Sequence, residues 1–190
     1  MPVDMKNVIA STFATMAKQK GIDKITVKAL IDACGISGQT FYCHFQDIME
    51  VVEWSLEQVT QDAVERSLQA ESPEDAIGTL ISLAMENRTL IRRLLDSQRR
   101  EQIEKLFVQA TRTYLQALIR NRTRKLPVRY EDMEVALDFW AFGISGLLLK
   151  CCVDEPVDAD RLAAQICRML PEKVKKMQND APKPGASFFV

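Results

Sequence analysis

Helical periodicity is the feature of this sequence that most constrains its fold. Apolar residues recur at spacings of three and four along almost the whole chain, and the alternation typical of strands is nearly absent. Residues 3–20, for example, carry a single apolar stripe that ends at Gly21. With 190 residues, 47% of them hydrophobic, the chain can bury a substantial core. We therefore predict an all-α protein of about nine helices.

Two short helices joined by a tight turn are predicted after the first helix. Thr26 is a suitable N-cap for a helix over residues 27–34, Gly35 provides the turn, and Ser37 is a suitable N-cap for the next helix. Phe41 and Phe45 are four residues apart and would anchor the inner face of that helix. Residues 1–46 thus form a predicted three-helix domain with a helix-turn-helix.

Residues 47–178 are predicted to form a longer helical domain. Asp47 would cap a helix that runs to about Ala70, and Ser72 and Pro73 mark the start of the next. Further helices are predicted over residues 89–97, 99–124 and 131–153, with a last one starting at Asp158 or Asp160. Residues 179–190 contain two prolines and a glycine and are predicted to be a flexible tail.

The segment 131–153 is apolar on more than one side. Leu137 and Ile144 belong to one stripe, whereas Phe139 and Phe142 belong to another. A helix of this kind must be covered both by its own domain and by something else, and a partner subunit is the simplest candidate. Glycines in the middle of this helix, such as Gly143, favour close approach of another helix.

Charge is distributed unevenly along the chain, although the net charge is only −1. Residues 47–86 carry 10 acidic and 1 basic side chains, whereas residues 87–129 carry 12 basic and 3 acidic ones. The basic block has two interpretations: it pairs with the acidic block across adjacent helices, or it forms a second nucleic-acid surface. The acidic block would require a nucleic acid to bind end-on, at the slightly positive N-terminal domain.

No set of residues in the sequence supports catalysis. His44 is the single histidine, so a histidine-based metal cluster or a catalytic triad is not predicted, and no phosphate-binding glycine loop is present. The five cysteines are an odd number, which fits free thiols in a reducing compartment, and Cys151 and Cys152 are interpreted as core residues. We predict a cytoplasmic protein that is not an enzyme and has no cofactor, no metal and no membrane contact.

The first fifty residues resemble the DNA-binding domain of the TetR family of transcriptional regulators. The matching features are a first helix ending at Gly21, Thr26-Val27 at the start of the second, the turn Gly35-Ile36-Ser37, and the segment TFYCHF over residues 40–45. Over the remaining chain the similarity is one of architecture. It implies an N-terminal DNA-binding domain and a C-terminal domain for ligand binding and dimerisation.

Two positions depart from the family pattern. Ile31 occupies a position that often carries alanine, and Ile48 one that often carries a phosphate-binding lysine. The segment QTFYCHFQDIMEVVEW resembles a branch that includes regulators of dihydroxyacetone kinase operons, where isoleucine is common at the second position. That branch contains activators as well as repressors.

The resemblance and the helix-turn-helix geometry together assign DNA-binding roles. Gln39 is the expected base reader, because its amide can pair with adenine, and Gly38 allows close approach to the groove. Cys43 is placed to touch a thymine methyl group. The remaining residues assigned to DNA binding are expected at the backbone: Thr26, Lys28, Ser37, Thr40, Tyr42 and His44.

The function predicted is a ligand-responsive regulator that binds a palindromic operator as a homodimer, with a repressor favoured over an activator. Candidates for a pocket that holds a small apolar effector are Trp54, Met85, Phe107, Tyr114 and Trp140. Candidates for the dimer interface are Phe139, Phe142, Gly143, Gly146, Leu149, Val153, Leu162 and Ile166. The rival hypothesis is an all-helical dimer that binds a ligand or a protein and has no role at DNA.

Overall fold

The computed structural model of the protein describes residues 4–122, 130–154 and 158–169. These residues form α-helices and one turn of 3-10 helix, Ile22–Lys24, and contain no strand, which confirms the all-α prediction. The nine α-helices among them are α1 (Met5–Lys20), α2 (Val27–Cys34), α3 (Gly38–Tyr42), α4 (Ile48–Leu68), α5 (Pro73–Glu86), α6 (Arg88–Leu95), α7 (Arg100–Arg122), α8 (Tyr130–Val153) and α9 (Ala159–Met169).

The capping residues predicted for the helix-turn-helix hold the starts of its two helices. Thr26 Oγ1 accepts the backbone N–H of Ala29 at 3.1 Å, and Ser37 Oγ accepts the backbone N–H of Thr40 at 3.0 Å. Between the helices, Gly35 has a φ of 66°, in the left-handed region that glycine adopts without steric cost. The sequence therefore specifies both the start of each helix and the turn between them.

The later helices lie within two residues of their predicted bounds. The largest differences are at their C-terminal ends, where α4 ends at Leu68 and α6 at Leu95. Both ends lack a glycine, so the sequence carries no local stop signal there. Of the loop predicted over residues 125–130, residues 125–129 lie outside the described residues and Tyr130 is the first residue of α8. The predicted tail over residues 179–190 also lies outside the described residues.

One apolar core joins the first three helices to the helices that follow. Phe13 of α1 and Phe41 of α3 share this core with Val51 of α4, Ile91 of α6 and Ile103 of α7. The core therefore continues across the proposed domain boundary at residues 46 and 47. Because α1 packs against α2 as well as against α4 and α6, a displacement of α4 or α6 acts on the helix-turn-helix through α1.

A second apolar core lies between α5, α8 and α9. Ile81 of α5 and Ile144 of α8 pack there with Leu162 and Ile166 of α9. Leu162 is 8% exposed and Ile166 2%. These two residues, which the sequence assigned to a dimer interface, are buried within the chain because the apolar stripe of α9 faces α5.

Candidate DNA-binding surface, effector cavity and dimer face

The two sides of α3 differ sharply in burial. Phe41 and, just after the helix, Phe45 are buried in the core, whereas Gln39, Tyr42 and Cys43 are exposed, Tyr42 to 62%. The aromatic anchors thus fix the helix against the body of the protein. The polar edge is left free to enter a groove, as the recognition helix of a helix-turn-helix does.

Hydroxyl groups cluster at the N-terminus of α3. Ser37 Oγ lies 2.8 Å from Thr40 Oγ1, so one of these hydroxyls donates to the other and the second keeps a proton to donate. Thr26 and Lys28 are exposed in the first turn of α2, and His44 is half-buried after α3. This arrangement offers donors of the kind that hold phosphates.

Ile31, one of the two departures from the family pattern, packs beneath Gly38. A Cβ added to Gly38 would lie 4.0 Å from Ile31 Cδ1, an ordinary van der Waals distance. The close contact between α2 and α3 is thus made by an isoleucine below a glycine. The bulk of Ile31 is accommodated without a clash, and the backbone at Gly38 stays bare.

Ile48, the second departure, is a core residue and is buried with Phe41 and Phe45. The first turn of α4 instead carries acidic side chains: Asp47 caps the backbone N–H of Glu50, and the Glu50 carboxylate accepts the backbone N–H of Gln46. Residues 48–51, the first turn of α4, therefore carry no cation.

Lys6 of α1 is a cation near the helix-turn-helix that the sequence analysis did not identify. Its Nζ lies 5.2 Å from the ring centroid of Phe45 and 5.8 Å from that of Trp54, within the range of cation–π attraction. Trp54, a predicted pocket residue, also packs edge-on against Phe45 at 5.9 Å. No spacing in the sequence indicates this cluster, because it depends on how α1 crosses α3 and α4.

A cavity of about 120 Å³ lies between α1, α4, α5, α6, α7 and α8. Its lining is mainly apolar and includes Phe13 of α1, Leu56 of α4, Leu90 of α6 and Phe107 of α7. No charged side chain lines it among the residues that the structure describes. An engineered apolar cavity of comparable size, about 150 Å³, holds benzene, so this one suits a small uncharged molecule.

The three hydroxyl groups that line the cavity already donate their protons, and Asn87 donates one of the two protons of its amide. Each of the four polar lining residues donates a hydrogen bond to a backbone carbonyl four residues earlier in its helix, at 2.6 to 2.9 Å. Their oxygens keep free lone pairs that can accept a hydrogen bond. These residues are Ser55, Thr60, Asn87 and Thr111.

Phe107 is the one predicted pocket residue that lines this cavity. Tyr114 is fully buried, donates from its hydroxyl to the carbonyl of Ala76 at 2.6 Å and lies 2.7 Å from Ser67 Oγ. Met85 is half-buried against both cores. The aromatic type of a residue was thus a poor guide to the cavity, whose walls come mostly from the aliphatic stripes of α4, α6 and α7.

The outer face of α8 exposes large apolar side chains. Phe139 is 68% exposed and Phe142 65%, and Val135 is exposed one turn earlier. A Cβ on Gly143 or Gly146 would meet nothing within 4 Å, so no contact among the described residues requires glycine there. Exposed apolar patches rimmed by polar residues mark interaction sites.

The other predicted interface residues of α8 lie at the margin of this face. Val153 is partly exposed, whereas Leu149 is half-buried and packs against the first core. Trp140 lies on the inner side against the second core, edge-on to Phe139 at 5.5 Å.

The helix α8 is also long and apolar enough to span a membrane by composition, with a mean hydropathy of 1.6 over Asp132–Val153. However, its inner face is packed within the two cores. Its acidic residues Glu134 and Asp138 both form ion pairs with Arg112 of α7, the second at 2.8 Å. The Asp138 hydrogen bond is the main cause that raises the pKa of Arg112 above its usual value. These features are those of a core helix of a folded domain.

The architecture, an N-terminal helix-turn-helix packed on a helical body, is shared by known bacterial regulators. It is similar to the solved structure of the dihydroxyacetone kinase operon activator DhaS, with a TM-score of 0.66, 16% identity, and coverage of 95% of this chain and 99% of that one. A TetR-family regulator from Streptomyces coelicolor has a TM-score of 0.60 at 14% identity, covering 94% and 93%. The TetR family repressor AlkX from Dietzia sp. strain DQ12-45-1b has a TM-score of 0.56 at 14% identity, covering 95% and 98%.

Residues 71–172, more than half of the chain, match the TetR family model described as a transcriptional regulator C-terminal region. The fold and this match therefore define the class as helical transcriptional regulators. Within that class, the chain belongs to the TetR family. No curated protein matches the sequence.

Proposed function

We propose that this protein is a cytoplasmic, ligand-responsive transcriptional repressor that binds a palindromic operator as a homodimer. The observation that carries the proposal is the exposed polar edge of α3 above its buried anchors Phe41 and Phe45. In this arrangement Gln39 reads a base edge and Cys43 contacts a thymine methyl group. Thr26, Lys28, Tyr42 and the hydroxyls near Ser37 hold phosphates.

Two copies are needed because each chain presents few base readers. Two-fold symmetric helix-turn-helix proteins read half-sites about 34 to 36 Å apart. The outer face of α8, with Phe139, Phe142 and the two bare glycines, is the surface that supports a partner copy. The boundary between the DNA-binding and regulatory domains is placed at residues 46 and 47.

The proposed effector is a small uncharged molecule in the cavity between α1 and α4–α8. Phe13 at the wall of the cavity belongs to the same helix that packs under the helix-turn-helix. A molecule that fits only one arrangement of these helices shifts the spacing of the two recognition helices. The free acceptors among the lining residues favour a molecule that carries one hydrogen-bond donor.

DNA binding is tested by selecting duplexes with the full chain from a random pool and measuring affinity for the selected sequence. The double variant Gln39→Ala, Tyr42→Phe should bind that sequence at least tenfold more weakly, about 1.4 kcal/mol. Gln61→Ala, an exposed glutamine on α4, is the matched control and should bind like the parent chain.

Salt dependence separates this function from its rival. A regulator should lose affinity steeply between about 50 and 200 mM salt, because phosphate contacts release counterions. If no sequence is enriched and weak binding barely changes with salt, the rival hypothesis of a helical dimer without a role at DNA is favoured.

The cavity is tested with phenol, which is neutral and carries one donor, and with benzoate as a charged control of similar size. Phenol should raise the melting temperature and change operator affinity, whereas benzoate should do neither, since no cation lines the cavity. Thr111→Val, which keeps the shape and removes an acceptor, should weaken the phenol effect.

Repression is supported by relatives of the same fold, among which AlkX is described as a repressor. DhaS is described as an activator, so the sign needs its own measurement. A reporter placed behind the selected operator should increase in activity when the gene for this protein is deleted. A decrease would identify an activator.

A further inference from the structure

The corner between α6 and α7 carries three exposed arginines, Arg92, Arg93 and Arg99, which we name the basic corner. None of them forms an ion pair within the part of the chain that the structure describes. Arg100 next to them is paired with Glu104 at 2.7 Å. The basic corner thus leaves three guanidinium groups unneutralised at the surface.

The ion pairs that are present do not involve the acidic block over residues 47–86. Those of α7 run within that helix, from Arg100 to Glu104 and from Lys105 to Glu101, or from Arg112 across to α8. The sequence-based interpretation that the basic and acidic blocks pair across adjacent helices therefore finds no support among residues 4–122, 130–154 and 158–169. The other interpretation is a second nucleic-acid surface, and it agrees with the unpaired basic side chains.

A hydrogen bond fixes the basic corner beside the helix-turn-helix. The backbone N–H of Gln98, adjacent to Arg99, donates to Asp23 Oδ2 at 3.1 Å. Asp23 lies in the 3-10 helix only three residues before Thr26, which starts α2. The buried residues of α6, such as Ile91, share the core of α1, so Arg92 and Arg93 point away from it.

Exposed lysines extend the positive surface on the side of the helix-turn-helix. Lys20 ends α1 and Lys24 ends the 3-10 helix, so they precede and follow Asp23 along the chain. Both are exposed. Basic side chains therefore lie on both segments that the Asp23–Gln98 hydrogen bond joins, and they outnumber the exposed acids Asp23 and Asp96 there.

We propose that the basic corner is an auxiliary DNA-binding surface that holds phosphates of the duplex flanking the half-site read by α3, an inference that rests on the proposed function. Guanidinium groups suit phosphate because their donors match its oxygens in pairs. The interaction carries no sequence information and adds affinity through counterion release.

Arg92 and Arg93 also have a structural role, which is separate from the proposed binding of phosphates. Both lie in the last turn of α6, where a basic side chain stabilises the helix dipole. Arg99 lies beyond α6 and has no such role. The two roles differ in their readouts, since the dipole interaction affects helix stability and not the dependence of DNA binding on salt.

The experiment measures affinity of the intact chain for the selected operator in a duplex of about 20 base pairs and in one extended to about 40 base pairs, over a range of salt concentrations. The variant Arg92→Ala, Arg93→Ala, Arg99→Ala should bind the long duplex at least tenfold more weakly and the short duplex like the parent chain. The slope of log affinity against log salt on the long duplex should decrease by about 1 for each phosphate that the variant no longer neutralises.

Two controls accompany this variant. The same positions changed to lysine keep the charge and should retain most of the slope. Arg161→Ala removes an exposed arginine from α9. Among the described residues, α9 belongs to the second core, which contains no residue of α1, α2 or α3. This variant should therefore change neither the affinity nor the slope. Arg99→Ala alone, outside α6, should already reduce the slope, which excludes an effect of helix stability.

If the triple alanine variant binds the long duplex with unchanged affinity and slope, the basic corner does not bind DNA. That result would not contradict the proposed function. Failure of the parent chain to select any duplex would overturn the proposed function, and this inference with it.

Discussion

Gly38 combines a bare backbone at the expected DNA surface with enough room for a methyl group. A Cβ there would make an ordinary 4.0 Å contact with Ile31, and replacing glycine by alanine within a helix adds up to about 1 kcal/mol of stability. We expect Gly38→Ala to unfold at the same or higher urea concentration but to bind the operator about tenfold more weakly, because the methyl group separates α3 from the groove.

Gly78→Ala is the matched control for this change. Its Cβ would lie 3.9 Å from Ala163 in the core between α5 and α9, far from α3. It should leave operator affinity unchanged. Equal affinities for both variants would show that Gly38 does not approach DNA.

Tyr114 gives a second expectation at the residue scale. Its hydroxyl is fully buried and joins α7 to the ends of α4 and α5 through Ser67 Oγ and the Ala76 carbonyl. Tyr114→Phe should lower the free energy of unfolding by about 1 to 2 kcal/mol, measured by urea denaturation. Tyr42→Phe, on an exposed tyrosine, should stay within about 0.5 kcal/mol.

The cysteines should differ strongly in reactivity. Burial raises the pKa of the Cys152 thiol to about 11, with Cys151 adding to the effect, and the thiol donates toward the Ala84 carbonyl at 3.8 Å. Burial also raises the pKa of Cys151. Because the thiolate is the reactive form, both should resist alkylation at pH 8 while the exposed Cys43 is modified.

Mass spectrometry of the alkylated native and unfolded protein measures this difference, and all five thiols should react after unfolding.

The raised pKa of Cys152 also predicts an effect of pH on stability. Between about pH 9 and 11 the Cys152 thiol ionises in the unfolded chain but not in the folded one, so the free energy of unfolding should fall as pH rises. Modification of native Cys152 as fast as Cys43 would contradict its burial.

At the scale of elements, the C-terminal end of α8 is held by a side chain from α6. Arg88 Nε donates to the carbonyl of Cys152 at 3.1 Å, and its Nη2 donates to the carbonyl of Asp154. These hydrogen bonds satisfy carbonyls that have no partner within the helix and place a cation at its negative end.

Arg88→Ala should therefore fray the last turn of α8 and lower the free energy of unfolding by about 1 to 2 kcal/mol. Faster hydrogen exchange near residues 150–154 would locate the effect. Arg161→Ala, on an exposed arginine of α9, should change neither quantity, and slow exchange in Arg88→Ala would show that α8 ends stably without its cap.

Most helices were predictable because their signals are local. Thr26, Gly35 and Ser37 each act within four residues, so the helix-turn-helix could be placed before any tertiary contact was known. The two faces of α8 were equally visible in its periodicity. By contrast, whether an apolar stripe faces its own domain or a partner depends on neighbours distant in sequence, and for this reason the packing of Leu162 and Ile166 against α5 was not predictable.

At the scale of the whole molecule, the cavity was the feature least accessible from sequence. A cavity forms where side chains from several helices leave space between them, and no single segment of the sequence indicates that space. Phe107 was the one predicted pocket residue at its wall, whereas Tyr114 and Trp54 fill space elsewhere. The exposed polar edge of α3 was easier to predict, since a helix-turn-helix fixes which face points outward.

Assembly gives the last expectation. Phe139→Asp together with Phe142→Asp places charges on the exposed face of α8 and should convert a dimer into a folded monomer, measured by light scattering and circular dichroism. Operator affinity should fall at least a hundredfold, since one half-site is no longer bound. Glu57→Gln, an exposed change on α4, is the control, and a dimer that survives the double variant would place the interface elsewhere.

The exposed outer face of α8 would also determine which chains can pair. In a two-fold assembly every substitution on this face occurs twice, once in each copy, so the surface has to remain complementary to its own copy. A cell that makes several regulators of this fold would rely on the shapes around Phe139, Phe142 and the adjacent glycines to keep unlike chains from pairing. A mixed pair would carry two different recognition helices and fit neither parent's palindrome, so α8 would govern the fidelity of the regulatory network as well as the stability of one dimer.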